Sequence, residues 1–429
     1  MSSSSPSSLA ADDPAAVPAG SLANVRRFAV GRACSVTGWQ LVSVAIGWQL
    51  YERTHDPWSL GLVGLIELIP VIFLIIPAGI VADRYPRRNV AMLGATFFAL
   101  AALGLIKSTD PTTPLAFTYG CLLFVGVSRS FLQPAMASYL PELAPPAALA
   151  RVNAWIAASF EVASIGGPAL AGLLIAATRS AALAFGTAVV FQVLFIGILL
   201  TLPARKSHVS TAPHSAREIF AGLHFIRRTP VFLAAITLDL LAVLVGGAVA
   251  LLPVYAKDIL HVGPTGLGWL RTAPAVGALL MSLAATRMKP WQRPGRLLLG
   301  VVAGFGLATI GFGLSRNFAL SLFCLSLVGA TDTVSVIIRM TLEQTITPDA
   351  LRGRVSSINF LFVGFSNELG SFESGAAAAW LGPVWAVVGG GIAAIMIVGL
   401  VSVMWPQLRR IGPLHTLSPE RPAGVETAI

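Results

Sequence analysis

The residues best placed for chemistry are ionisable groups stranded in apolar sequence: Arg32, Glu67, Arg129, Glu161, Asp239, Arg271, Asp332, Glu368 and Glu373. Apolar surroundings make an isolated charge costly, so each such group pairs, binds something or trades a proton. A neighbouring arginine favours an ionised carboxylate, whereas a dry site favours a neutral one. A carboxyl moved between those surroundings loads and unloads a proton. The plainer alternative is a fixed ion pair that only neutralises two buried charges. Other chemistries lack their residues. No Gly-x-x-x-x-Gly-Lys-Ser/Thr stretch supplies a phosphate loop, and no Ser/His/Asp set or metal-ligand spacing appears. The reading is therefore no enzyme, no metal and no cofactor. Cys34, Cys121 and Cys324 each sit in an apolar run and read as inert small hydrophobes.

The elements that carry these residues are membrane helices. The chain is 55% hydrophobic and 11% charged, with a mean hydropathy of +0.78. A soluble domain carries about a quarter charged residues. A net charge of +10 suggests nucleic acid in a soluble protein. Here Lys and Arg cluster between apolar runs, which points to topology and anionic lipid instead. Residues 1–24 read as a disordered tail without a secretory signal.

A crossing of about 20 residues is the ruler. It gives twelve spans, at roughly 28–51, 58–81, 89–107, 115–139, 151–176, 180–202, 231–256, 265–287, 296–314, 318–341, 354–378 and 384–405. Lys and Arg favour one side by about four to one, which predicts both termini in the cytoplasm. The expected organisation is a tail to 24, a six-helix half over 25–202, a basic cytoplasmic linker over 203–230, a second half over 231–406 and a tail over 407–429. An offset of 203 residues carries Gly126 onto Gly329, Pro145 onto Pro348, Arg151 onto Arg354, Gly167 onto Gly370 and Gly172 onto Gly375. That register predicts duplicated halves.

Between the second and third spans stands Gly79-Ile-Val-Ala-Asp83-Arg84-Tyr-Pro-Arg87-Arg88. It resembles the signature loop of the major facilitator superfamily, with Pro86 where glycine is usual. Small Gly79 suits close helix approach. By the resemblance, Asp83, Arg84, Arg87 and Arg88 form a latch between halves. The second half retains only Arg293-Pro-Gly-Arg296 at the matching loop. The stretches 351–357 and 367–372 resemble the bacterial branch that contains the enterobactin exporter and macrolide-efflux-type proteins. Gly167, Pro168 and Gly172 resemble part of an antiporter-associated Gly-Pro motif, with generic helix packing as the rival reading.

The resemblance implies an all-α fold of twelve transmembrane helices in two pseudo-symmetric six-helix halves. Spans one, four, seven and ten then line a central cavity. That places Arg32 and Arg129 opposite Asp239 and Asp332. At 1.5 Å per residue the last three lie roughly 12–15 Å from the cytoplasmic end. Asp239 or Asp332 is expected to carry a coupling proton, with Arg129 competing for the carboxylate. Glu67, on the second span, is expected to meet Glu368 and Glu373 of the eleventh. Glu161 and Arg271 are expected to pair at the opposite seam. Trp39, Gln40 and Gln133 are expected to line the cavity, a mixture suited to amphipathic or aromatic cargo.

The function implied is export of small molecules by proton antiport, from a bacterial inner membrane and as a monomer. The partners are then cargo, protons and lipid, and no nucleic acid. The alternative is a proton-coupled importer on the same fold.

Overall fold

The computed structural model describes residues 19–143, 149–204, 216–414 and 417. The first group of helices is α1 (Ala19–Thr54), α2 (Pro57–Arg84), α3 (Arg87–Lys107), α4 (Leu115–Leu143), α5 (Leu149–Thr178) and α6 (Ala182–Leu200). A short helix, α7 (Ala216–Arg228), lies within the expected linker. The second group is α8 (Pro230–Val245), α9 (Leu252–Val254), α10 (Gly263–Ala285), α11 (Pro294–Leu314), α12 (Phe318–Ile346), α13 (Asp349–Leu381) and α14 (Pro383–Met404), followed by α15 (Pro406–Arg410).

Proline in the first turn opens α2, α8, α10, α11 and α14, where its missing N–H costs no helical bond. By length and composition, ten stretches among the described residues suit a membrane crossing. The two remaining long helices, α1 and α13, have 36 and 33 residues and exceed the needed length. Their apolar runs are interrupted by polar residues such as Arg32, Gln40, Asn359 and Glu368. Those same helices carry groups of the seam between the halves.

The two groups are assembled alike. In the first, α3 packs on α4 and α6, α1 on α5 and α6, and α2 on α4. In the second, α11 packs on α12 and α14, α8 on α13 and α14, and α10 on α12. Repeat-related glycines explain the likeness. A Cβ on Gly126 would stand 2.4 Å from the Glu67 carbonyl oxygen of α2, and one on Gly329 would stand 1.9 Å from the Pro274 carbonyl oxygen of α10. Gly172 presses on Gly268 of α10, and its counterpart Gly375 presses on Gly61 of α2. The first pair closes equivalent contacts inside each half. The second pair closes the two equivalent seams between halves, α5 on α10 and α13 on α2.

Two expectations need correction. The seventh span is not one helix. After α8 the chain breaks at Gly246-Gly247, forms a 3₁₀ turn over Ala248–Leu251, the short α9 and a π turn over Tyr255–Ile259. A Cβ on Gly247 would strike Ser374 Oγ at 2.6 Å, so the break brings bare backbone against α13. Gly79, expected at a close approach, has nothing within 4 Å of where its Cβ would be.

The apolar interior forks. One cluster draws on both groups, joining residues such as Leu41, Leu60, Leu122 and Ala171 to Leu252, Leu270, Leu325 and Ala378. Toward the other end the core divides. Phe28, Ala91, Tyr139 and Phe195 belong to the first group alone. Phe232, Leu298, Ile338 and Leu408 belong to the second, with Ile226 of α7 packed among them. The bundle is therefore closed at the end bearing the 55–56 and 260–262 turns. It is parted at the end bearing α7 and α15.

Candidate functional site: the seam and its ion pairs

The close approach of α2 and α13 builds the central charge cluster. A Cβ on Gly64 would stand 2.7 Å from the Glu368 carbonyl oxygen, so no larger residue fits there. Glu67 lies nearly a turn further along α2 and is 7% exposed. Arg129 of α4 donates to Glu67 at 3.4 Å and also to Glu368, bridging one half to the other. Its guanidinium lies 5.7 Å from the ring centre of Trp39 on α1, a cation–π distance. Arg271 of α10 donates to Ser43 Oγ at 2.8 Å and to the Val249 carbonyl at 3.2 Å, within electrostatic reach of both glutamates. Two arginines thus balance two carboxylates, the arrangement a dry site requires.

This corrects two expected pairings. Arg129 does not meet Asp239 or Asp332, and Arg271 does not meet Glu161. Glu67 and Glu368 do come together, through a cation that helix-depth arithmetic did not place between them. Glu373 stands apart from the cluster, with Ser374 Oγ 3.4 Å from its carboxylate.

The second half holds its own buried charges. Asp239 of α8 pairs with Arg339 of α12 at 2.7 Å, and the two residues are 6% and 5% exposed. Arg339 Nε also donates to Ser335 Oγ at 3.3 Å. Asp332 makes no hydrogen bond and no close ion pair among the described residues, but Arg339 lies within electrostatic reach of it. It lines a small cavity with Asp239, Ser335, Thr331, Val243 and Phe305. Sequence reasoning left Arg339 without a role. The available signal was its spacing of seven from Asp332, two turns along one helix face. Buried Glu343 was also missed; it accepts from Ser356 and, at 2.9 Å, from Asn359.

The closed end carries a lock absent from the sequence reading. Tyr51 Oη of α1 donates to Asp258 in the π turn, and Lys257 stands 6.0 Å from the Tyr51 ring centre. Lys257 Nζ also lies 3.4 Å from His55 Nε2. At the parted end, Arg87 pairs with Glu142 at 3.3 Å and Arg88 donates to the Leu202 carbonyl at 2.9 Å. Both bonds stay inside the first half. The Asp83 side chain lies outside the described residues, and exposed Arg84 forms no described bond to the second half. Gln40 packs its stem against Gly167, and Gln133 is exposed one turn from Arg129. Pro168 presents its carbonyl to Gly268 across the α5–α10 seam.

Two like-built helix groups, sealed at one end and bridged across their seam by buried charges, define a polytopic membrane transporter. The chain belongs to the Major Facilitator Superfamily, whose family profile matches residues 28–371. It is 26% identical over 382 residues to the enterobactin exporter EntS of Escherichia coli O1:K1, covering 89% of this chain and 91% of that protein. The fold is similar to that of a peptide transporter POT in complex with sulfate, with a TM-score of 0.70 at 12% identity, covering 91% of this chain and 96% of that one. It is likewise similar to a D-xylose-proton symporter, with a TM-score of 0.68 at 12% identity, covering 90% and 99%. These proteins are transporters and not enzymes, as is this chain.

Proposed function

We propose that the protein is a secondary active exporter of small siderophore- or drug-like molecules, working by alternating access with proton antiport. The observation that carries the mechanism is the Arg129 bridge between Glu67 of one half and Glu368 of the other. In the state observed, the bridge belongs to the sealed end. When that end opens, the two carboxylates separate and no longer share one guanidinium. A carboxylate left without its cation in a dry site takes a proton from the newly opened side. Resealing restores the bridge and releases the proton toward the parted end. Cargo moving the opposite way completes an antiport cycle.

Similarity to an enterobactin exporter supports the outward direction. The charge bias supports cytoplasmic termini, a parted end facing the cytoplasm and a bacterial inner membrane. Residues 25–202 and 231–406 are the moving halves, joined by 203–230, with the flanking tails cytoplasmic and the working unit a monomer. Asp83 with Arg84, Arg87 and Arg88 latches the cytoplasmic side in the opposite state. Asp332, which makes no hydrogen bond or close ion pair among the described residues and lies within electrostatic reach of Arg339, is the second candidate proton carrier. Glu161 and Glu373 are minor gating groups.

The test is accumulation of catechol siderophores, macrolides and cationic dyes in cells expressing the protein, with and without a protonophore. Lower accumulation that rises when the gradient collapses is the expected result. Gradient-dependent uptake of any of them makes the protein a symporting importer and overturns the export reading.

A further inference from the structure

Arg32 stands apart from the paired charges. Arg129, Arg271 and Arg339 all find oxygen partners inside the bundle. Among the described residues Arg32 makes no ion pair and no acidic group acts on it, and its Nε is shut off from solvent without an acceptor. That Nε–H forfeits hydration without regaining a hydrogen bond, while the rest of the half-buried guanidinium is left to face a partner.

Its position follows from helix geometry. Along α1, Trp39 lies beneath Arg129 and Ser43 accepts from Arg271, so one stripe of the helix faces the seam. Arg32 is seven residues before Trp39 and shares that stripe, about 10 Å nearer the parted end. Two contacts fix the register of α1 on α4: Arg129 over Trp39, and Phe28 edge-on to Tyr139 at 5.7 Å between ring centres. Interpolated between them, Arg32 falls within about one helical turn of the height of Gln133. Gln133 is exposed, and its amide makes no bond among the described residues.

We infer that Arg32 is the subsite that binds an acidic group of the cargo, with Gln133 at a similar height on α4, so that the protein selects organic anions. A planar fork of N–H donors matches two adjacent anionic oxygens, as in a carboxylate. The inference rests on the transporter reading above and names the cargo chemistry. It does not depend on direction. A cargo anion entering the parted end reaches Arg32 before it reaches the Glu67–Arg129–Glu368 cluster, whose own charges are already matched.

The test is equilibrium binding to purified protein in lipid nanodiscs, with salicylate as the anionic probe and salicylamide as its uncharged counterpart. The wild-type protein is expected to bind salicylate at least tenfold more tightly than salicylamide. Arg32→Gln abolishes that preference, with the loss of affinity falling mainly on salicylate. Arg32→Lys keeps the charge, loses the fork and gives an intermediate result. Gln133→Glu adds a negative charge at a similar height on α4 and also lowers salicylate affinity. It carries the test should Arg32→Gln fail to fold, as thermal melting would reveal. Equal or absent binding of the two probes by wild type, or a preference surviving in Arg32→Gln, overturns the inference. Binding needs no gradient, so intact salicylate selectivity without efflux overturns only the export reading. Efflux of cations without salicylate selectivity overturns only the subsite.

Discussion

Arg129 touches three other helices: α2 through Glu67, α13 through Glu368 and α1 through Trp39. Removing one member of a buried charge set costs about 3–5 kcal/mol, because the remaining charge is left uncompensated. Arg129→Gln leaves Glu67 and Glu368 facing each other and is expected to cut gradient-driven transport at least tenfold. Adding Glu67→Gln and Glu368→Gln restores thermal stability but not proton coupling. Melting measurements and proton flux in proteoliposomes separate the two effects. Asp239 and Arg339 behave differently if they form only a fixed pair. Asp239→Asn then lowers the melting temperature, and a further Arg339→Gln recovers part of the loss while proton flux persists. Loss of flux in that stable double variant would instead make Asp239 a carrier. The depth of these charges is legible in the sequence, because rise per residue is constant. Their partners are not. A pairing depends on the azimuth of each helix, which only packing sets, and so depth alone matches Arg129 to the wrong carboxylates.

Packing of that kind is decided at the scale of elements, and there glycine sets the distances. The repeat pairs Gly126 with Gly329 and Gly172 with Gly375 are visible as an offset in the sequence. The structure gives each member the same neighbour in its own half or across its own seam. The break at Gly246-Gly247 is not visible there. Hydropathy runs unbroken across it, and nothing local reveals that Ser374 and the Gly370 carbonyl lie against Gly247. A Cβ on Gly375 would stand 2.5 Å from the Gly61 backbone, where neither side can yield. Gly375→Leu is therefore expected to part the sealed end and shift the protein to the opposite state. Thiol labelling of a cysteine at Ser43, in a protein stripped of Cys34, Cys121 and Cys324, reads that shift. Labelling from the face of the 55–56 turn rises severalfold if the seam opens. Unchanged labelling would mean that α2 and α13 separate without needing this contact.

For the whole molecule, the count of crossings and the duplication can be read from the sequence, because lipid imposes one length on every span. The state of the molecule cannot, since one sequence must specify both ends of its own cycle. The forked core records the present state. A single apolar cluster unites the halves at one end, and two clusters serve them separately at the other. Alternating access requires the shared cluster to divide while the separate ones meet. Tyr51 and Asp258 sit at the rim of the shared part, one from each half. Cysteines at both positions, bridged by a short bifunctional methanethiosulfonate in a background without native cysteine, are expected to hold the rim shut. Transport should fall at least tenfold on bridging and return when reductant cleaves the bridge. Salicylate binding from the parted end should survive bridging, because that end is already open. Transport that continues with the rim bridged would mean cargo crosses without parting this end, and the two-state cycle would have to be abandoned.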